Sequence, residues 1–181
     1  VSEVDPDRVA SYLDSIELCL DDADEYTRNY AVSAFYEVCK ADPDRVGPYL
    51  DELEPRLTDT NEKTRNLVVC VFRDISKTDP GRVARYLDAL EPCLDDVKES
   101  TREFTAKTFY RVSDVAPSRV TAHLDALRPL RNDQNDRTQQ HIEKTLDAIE
   151  EHDRIDGSKA GDIKTDINNT DTKVFDPDES V

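Results

Sequence analysis

Asp5-Pro6-Asp7-Arg8-Val9 returns as Asp42-Pro43-Asp44-Arg45-Val46, as Asp79-Pro80-Gly81-Arg82-Val83 and as Ala116-Pro117-Ser118-Arg119-Val120, each 37 residues after the last. A fixed period in this range is the mark of stacked supersecondary units that share a continuous core. Each stretch is also a helix start. Asp5 has the side chain of a good N-cap, able to accept from a free backbone N–H of the first turn. Pro6 suits the first helical position, where its missing donor costs nothing.

Working outward, the first helix of each unit carries an apolar stripe. Its columns are Val9/Val46/Val83/Val120, Tyr12/Tyr49/Tyr86/His123, Leu13/Leu50/Leu87/Leu124 and Ile16/Leu53/Leu90/Leu127. That is the i, i+3, i+4, i+7 spacing of one helix face. Pro55, Pro92 and Pro129 fall late in this helix and should bend it, because each removes the bond to the carbonyl four residues back. Unit one has Leu18 there and is expected to be straighter. After a polar turn a second helix repeats the pattern, with columns Ala31/Val68/Thr105/Ile142, Ala34/Val71/Thr108/Thr145, Phe35/Phe72/Phe109/Leu146 and Val38/Ile75/Val112/Ile149. Strand signals are missing. The fold class is therefore all-α: an α-solenoid of about four antiparallel helix hairpins with a 37-residue period.

The divisions follow. Residues 1–4 resemble the end of a second helix, since Val1-Ser2-Glu3-Val4 aligns with Val112-Ser113-Asp114-Val115, and are read as the end of a helix from a preceding repeat. Repeats one to four are 5–41, 42–78, 79–115 and 116–153, the last a C-terminal cap because its second helix is rich in Gln, Glu and His. A polar outer face is what a terminal repeat requires. From Arg154 to Val181 the periodicity stops and polar residues dominate, so 154–181 is expected to be a disordered acidic tail or linker.

Composition bounds the partners. The chain has 181 residues, 24 Lys+Arg and 41 Asp+Glu, for a net charge of −17. That balance argues against nucleic acid, which demands Lys/Arg patches. Asp exceeds Glu, Arg exceeds Lys, and Met and Trp are absent. This composition resembles that of proteins from salt-loving archaea, where an acidic surface maintains solubility. No apolar run is long enough to span a membrane, and no signal peptide is visible. Cys19, Cys39, Cys70 and Cys93 include no CxxC pair or zinc-ligand spacing. They read as reduced thiols of a cytoplasmic protein.

The columns also resemble a known family. Leu53-x-Pro55-x-Leu57-x-Asp59, then Thr64-Arg65, then the apolar helix to Ile75 is similar to a HEAT repeat, and Leu90 to Val112 matches as well. The Asp-to-Arg spacing of six recurs as Asp22–Arg28, Asp59–Arg65 and Asp96–Arg102. The resemblance implies that these residues form a hydrogen-bonded ladder between neighbouring repeats. Repeat four holds Asp133 but has Gln139 at the Arg position, which fits a cap with no next repeat to bond. The 37-residue period is short for the family, and the prolines lie about a turn later than its usual proline.

No catalytic constellation is present. His123 stands in a column of tyrosines and reads as a structural aromatic; His141 lies at the core edge; His152 lies at a helix end. No metal-ligand set, phosphate loop or cofactor site emerges, and no small-molecule substrate is implied. A binding surface follows from geometry instead. In HEAT arrays the second helix lines the concave side. Its stripe opposite the core includes Asn29, Tyr36 and Lys40, then Asn66, Arg73 and Lys77, then Lys107 and Tyr110. Exposed Tyr and Arg are enriched in interface hot spots, and the stripe is net positive on an acidic chain. Ordinary surface is the plainer alternative. The function expected is a non-catalytic scaffold that binds a protein or peptide of acidic or mixed character along the concave face. The alternative is an accessory subunit of an enzyme, such as a HEAT-like lyase or a chaperone for a protein-bound cofactor. An apolar N-terminal face also raises self-association through that end.

Overall fold

The protein is described by a computed structural model covering the backbone of residues 5–168 and the side chains of residues 5–155. Among the described residues there is no strand. The expectation for residues 1–4 lies outside the described residues. Two compact units are present, the first ending at Ile149 and the second beginning at Glu150.

Each repeat begins as the Asp-Pro stretch dictates. In repeat one α1 is Pro6–Ala10, and Asp5 accepts from the N–H groups of Asp7 and Arg8 at 3.1 and 3.4 Å. The outer segment then continues as α2, Leu13–Glu17, and the second helix is α3, Glu25–Ala41. Repeat two has α4, Pro43–Val46, α5, Leu50–Leu53, and α6, Glu62–Thr78. Repeat three has α7, Pro80–Val83, α8, Leu87–Leu90, and α9, Glu99–Ser113. Repeat four has α10, Pro117–Thr121, α11, Leu124–Leu127, and α12, Asp136–Asn168. Asp42 ends α3 and starts α4, and Asp79 ends α6 and starts α7, so no loop separates these repeats.

The outer helix differs from the simple bent rod that its periodicity predicts. It breaks in every repeat at the aromatic column, including repeat one, which was expected to be straighter. Tyr12, Tyr49, Tyr86 and His123 have φ between −98° and −115° and ψ between 5° and 13°. This sparsely populated region lies between helix and strand. The backbone there tightens to i−3 bonds, as in Tyr12 N–H to Val9 O and His123 N–H to Val120 O, both 2.9 Å. A second 3₁₀ stretch covers Glu54–Thr58, Glu91–Asp95 and Arg128–Asn132, where the late prolines remove helical donors.

The break serves packing between repeats. It turns each ring onto the phenylalanine of the preceding repeat. Centroids are 5.2 Å apart for Phe35–Tyr49, 5.2 Å for Phe72–Tyr86 and 5.3 Å for Phe109–His123, all tilted or edge-on. Phe35, Phe72 and Phe109 are fully buried and anchor one continuous core. The polar tips of the rings find carboxylates in the preceding repeat. Tyr49 donates to Asp14, Tyr86 Oη donates to Asp51 at 2.6 Å, and His123 Nε2 lies 3.4 Å from Asp88. Among the described residues no phenylalanine packs on the Tyr12 ring, which is 56% exposed, against 3% for Tyr86.

A second ladder joins the turns. Arg28 Nε donates to Asp59 at 2.7 Å, Arg65 Nε to Asp96 at 2.6 Å and Arg102 Nε to Asp133 at 2.7 Å. Each Arg Nη1 also donates to the carbonyl of the aspartate in its own repeat, at 2.9, 2.8 and 2.9 Å. Among the described residues Gln139 keeps only this inner contact, through Nε2 to Asp133 O at 2.6 Å. The same aspartates cap the turn two residues on, with Asn61, Lys98 and Asn135 N–H donating at 2.8 Å.

Of residues 154–181, expected to be a disordered acidic tail or linker, the described part is helical. α12 continues to Asn168. The stretch holds no proline, and each added residue gains one backbone bond once a helix is nucleated. The remainder of the expected tail, 169–181, lies outside the described residues. The four cysteines are unpaired; burial pushes the thiols of Cys39 and Cys93 up to about 12.

Candidate functional site

The second helices α3, α6 and α9 pack side by side, each through its apolar stripe. The stripe opposite the core is held in place by their caps. Asp24 accepts from Thr27 N–H at 2.8 Å, and Asn61 accepts from Lys63 N–H at 2.9 Å. Three of the candidate residues turn out to hold repeats together. Asn29 Nδ2 donates to Thr64 Oγ1 at 3.2 Å, and Asn66 Nδ2 donates to Ser100 and Thr101 hydroxyls at 3.0 and 3.2 Å. Both are half-buried structural bridges. Glu103 replaces asparagine in the next repeat, and the buried Thr138 Oγ1 is left without a partner.

Arg73 is the third. Its Nε and Nη2 clasp Asp74 Oδ1 and Oδ2, both at 2.9 Å, and its guanidinium lies 4.2 Å from the centre of the Phe104 ring. Lys77 Nζ reaches the same Asp74 oxygen at 2.6 Å. Burial opposes the charge on Asp74, but the bonds from Arg73 and Lys77 outweigh it and hold its carboxyl below the ordinary range. Arg73 is opposed by burial too, yet its pKa is raised by the bond to Asp74. Across the boundary, Arg111 Nη1 donates to Arg73 O at 2.6 Å and to Ser76 Oγ at 3.1 Å. That places a cation over the last turns of α6, where the helix dipole favours it.

The other candidates form a partly exposed rim. Lys40 pairs with Glu37 at 2.6 Å and lies 5.2 Å from the centre of the Tyr36 ring. Tyr36 is half-buried against the core. Tyr110 stacks on His141, with centroids 6.2 Å apart and planes at 22°, and Lys144 approaches its other surroundings at 5.7 Å from the ring centre. Lys107 is half-buried. Its pKa is lowered, first by burial and then by Arg111, Arg73 and Lys77. The same field acts on His141, lowered by burial and by Lys107 and Lys144.

The stripe is therefore two connected patches, Tyr36–Lys40 and Lys107–Tyr110, around a locked Arg73–Asp74–Lys77 centre. Asp74, Arg111, His141 and Lys144 belong to it and were missed from sequence. Lys144 was legible, since it continues the Ser33/Cys70/Lys107 column one period on. Arg111 was legible as a second cation four residues after Lys107. Asp74 was not, because its column is charged in repeats one to three and reads as solvated. Among the described residues no group of His, Cys, Asp and Glu could hold a metal ion, and no helix is long and apolar enough to cross a membrane.

The model of the family described as Cnd1, non-SMC mitotic condensation complex subunit 1, matches residues 6–114. No curated protein matches the chain. Among solved structures, the chain is similar to a designed armadillo repeat protein in complex with the peptide (KR)4. The TM-score is 0.68 at 19% identity, covering 80% of this chain and 69% of that one. Computationally designed armadillo repeat proteins for modular peptide recognition give a TM-score of 0.66 at 18% identity, with coverage of 80% and 69%. Cex1p gives 0.56 at 16% identity, covering 85% of this chain but 32% of Cex1p. At these identities the likeness establishes the HEAT/armadillo-like α-solenoid fold.

Proposed function

The chain belongs to the family of the non-SMC mitotic condensation complex subunit 1, and on that premise we propose that it is a non-catalytic scaffold whose second-helix face binds a protein or peptide partner. The observation that carries this reading is the rim itself. Tyr36, Lys40, Lys107 and Tyr110 are only partly covered, and they flank a centre made rigid by the Arg73–Asp74–Lys77 ion cluster. Aromatic and basic side chains on a preorganised support have the make-up of an interface hot spot. The fold supports the same reading. A solenoid exposes one repeated helix face along its length, and a designed protein of this fold holds a peptide. Membership of a complex-subunit family also accords with a role in holding partners.

The test is capture of partners from a native lysate by the chain and by its Tyr36→Ala/Tyr110→Ala variant. Arg73 is left in place because its removal takes two bonds from the buried Asp74 and the stacked cation from Phe104. A protein recovered by the first and lost by the folded second supports docking on this face. Equal recovery by both moves docking to the outer segments and overturns the proposal.

A further inference from the structure

The second-helix face carries more positive charge than its own carboxylates neutralise. Asp74 is shared between Arg73 and Lys77, and Lys40 is paired with Glu37. Among the described residues no carboxylate lies within ion-pair distance of Lys107, Arg111 or Lys144. The shortage is local, on a chain whose net charge is −17. Lys107 and Arg111 lie four residues apart on α9, a spacing at which like charges repel. Lys107 and Lys144 occupy the same column in successive repeats. Arg111 is held facing the site by Arg73 O and Ser76 Oγ, at 2.6 and 3.1 Å. Lys107 and Arg111 are partly buried and Lys144 is exposed; Glu103 and Asp74 offset the first two only from beyond contact, so an incoming anion that pairs with them directly is favoured.

Resting on the docking face proposed above, we infer that its partner is an acidic peptide whose carboxylates seat on Lys107, Arg111 and Lys144. The geometry sets the pattern. Neighbouring helices pack ~8–10 Å apart, and an extended chain rises ~3.3 Å per residue. Two acidic side chains two residues apart share a face of such a chain, ~6.6 Å apart, and the long lysine stems of Lys107 and Lys144 close the remaining distance, with Arg111 beside the first. The peptide backbone between them faces Tyr110, whose ring stacks on His141. A peptide fits better than nucleic acid, because a duplex must be neutralised at many phosphates along its length. Here a short basic patch is set in an acidic surface.

The experiment is fluorescence anisotropy at low salt with a labelled alternating Asp-Glu octapeptide. An alternating Lys-Arg octapeptide and a short duplex DNA serve as comparison probes. The acidic peptide should bind, and Lys107→Gln/Lys144→Gln should weaken it about tenfold or more. Lys63→Gln/Arg128→Gln, remote from the site, should leave affinity unchanged. Circular dichroism checks that both variants fold. Absence of acidic-peptide binding, equal affinity in both variants, or tighter binding of duplex DNA or the basic peptide each overturns the inference. A captured partner lost with Tyr36→Ala/Tyr110→Ala but retained with Lys107→Gln/Lys144→Gln would keep the docking face and discard the acidic occupant.

Discussion

Arg65 donates through Nε to Asp96 Oδ2 at 2.6 Å, across the boundary between the second and third repeats. Asp96 Oδ1 at the same time accepts from Lys98 N–H at 2.8 Å. One carboxylate thus joins two repeats and shapes the turn that starts the next inner helix. Asp59 and Asp133 do the same. Asp22 shapes its own turn through Asp24 N–H at 2.8 Å, but among the described residues no arginine reaches its carboxylate.

That difference predicts unequal costs within one column. Asp96→Ala should destabilise by about 3 kcal/mol, because it strands a partly buried guanidinium and breaks a cap. Asp22→Ala should cost only about 1 kcal/mol, the worth of a capping bond. Urea denaturation of both variants checks this, and equal losses would deny the ladder its stabilising role.

His123 fills a tyrosine position, with its ring on Phe109 and carboxylates of Glu91 and Asp88 at its nitrogens. His123→Tyr should therefore be tolerated within about 1 kcal/mol, the new hydroxyl taking the place that Tyr86 Oη has beside Asp51. His123→Ala should cost about 2–3 kcal/mol through the loss of a buried ring. Thermal melts of the two variants decide the matter; a large loss with tyrosine would mean that the imidazole has a role beyond packing.

Acid should weaken the fold in a defined direction. Burial opposes the charge on Asp59, but the bonds from Arg28 and Asn61 N–H prevail and hold it below the ordinary carboxylate value. The bond from Arg102 does the same for Asp133 against its burial. A depressed folded pKa means that the stabilisation is complete above the unfolded value of ~3.9 and is lost as pH falls through the folded value. Denaturation midpoints should hold steady down to about pH 5 and drop below about pH 4. A midpoint that rises on acidification would contradict this assignment.

Salt should act oppositely. At −17, repulsion among surface carboxylates outweighs exposed ion pairs such as Arg85–Asp51 at 3.2 Å. The melting temperature should rise between low and molar salt, where the Debye length shrinks to ~3 Å. Differential scanning calorimetry across that range is the check, with an unchanged temperature refuting the claim.

The period, the Asp-Pro starts, the Phe35/Phe72/Phe109 column and the Asp-to-Arg spacing were all readable residue by residue. Each is a local pattern repeated at one interval, and a repeat array is built from local patterns. The breaks at Tyr12, Tyr49, Tyr86 and His123 were not readable. An apolar stripe has nearly the same spacing whether its helix is continuous or interrupted by a tight turn. The bonds that Asn29, Asn66 and Arg73 make to the next repeat or to Asp74 were hidden for a related reason. A residue opposite its own helix's core stripe looks solvated until the neighbouring helix is laid beside it.

Sequence by itself determined the all-helical repeat architecture, because hydrophobic period and capping chemistry act within a few residues. Tertiary structure alone decided which polar groups hold the stack and which stay at least partly exposed. Asp74 with Arg73, and Arg111 with Arg73 O, are settled by how one repeat rests on the next. Spacing along a single helix carries no information about the partner that lies across it.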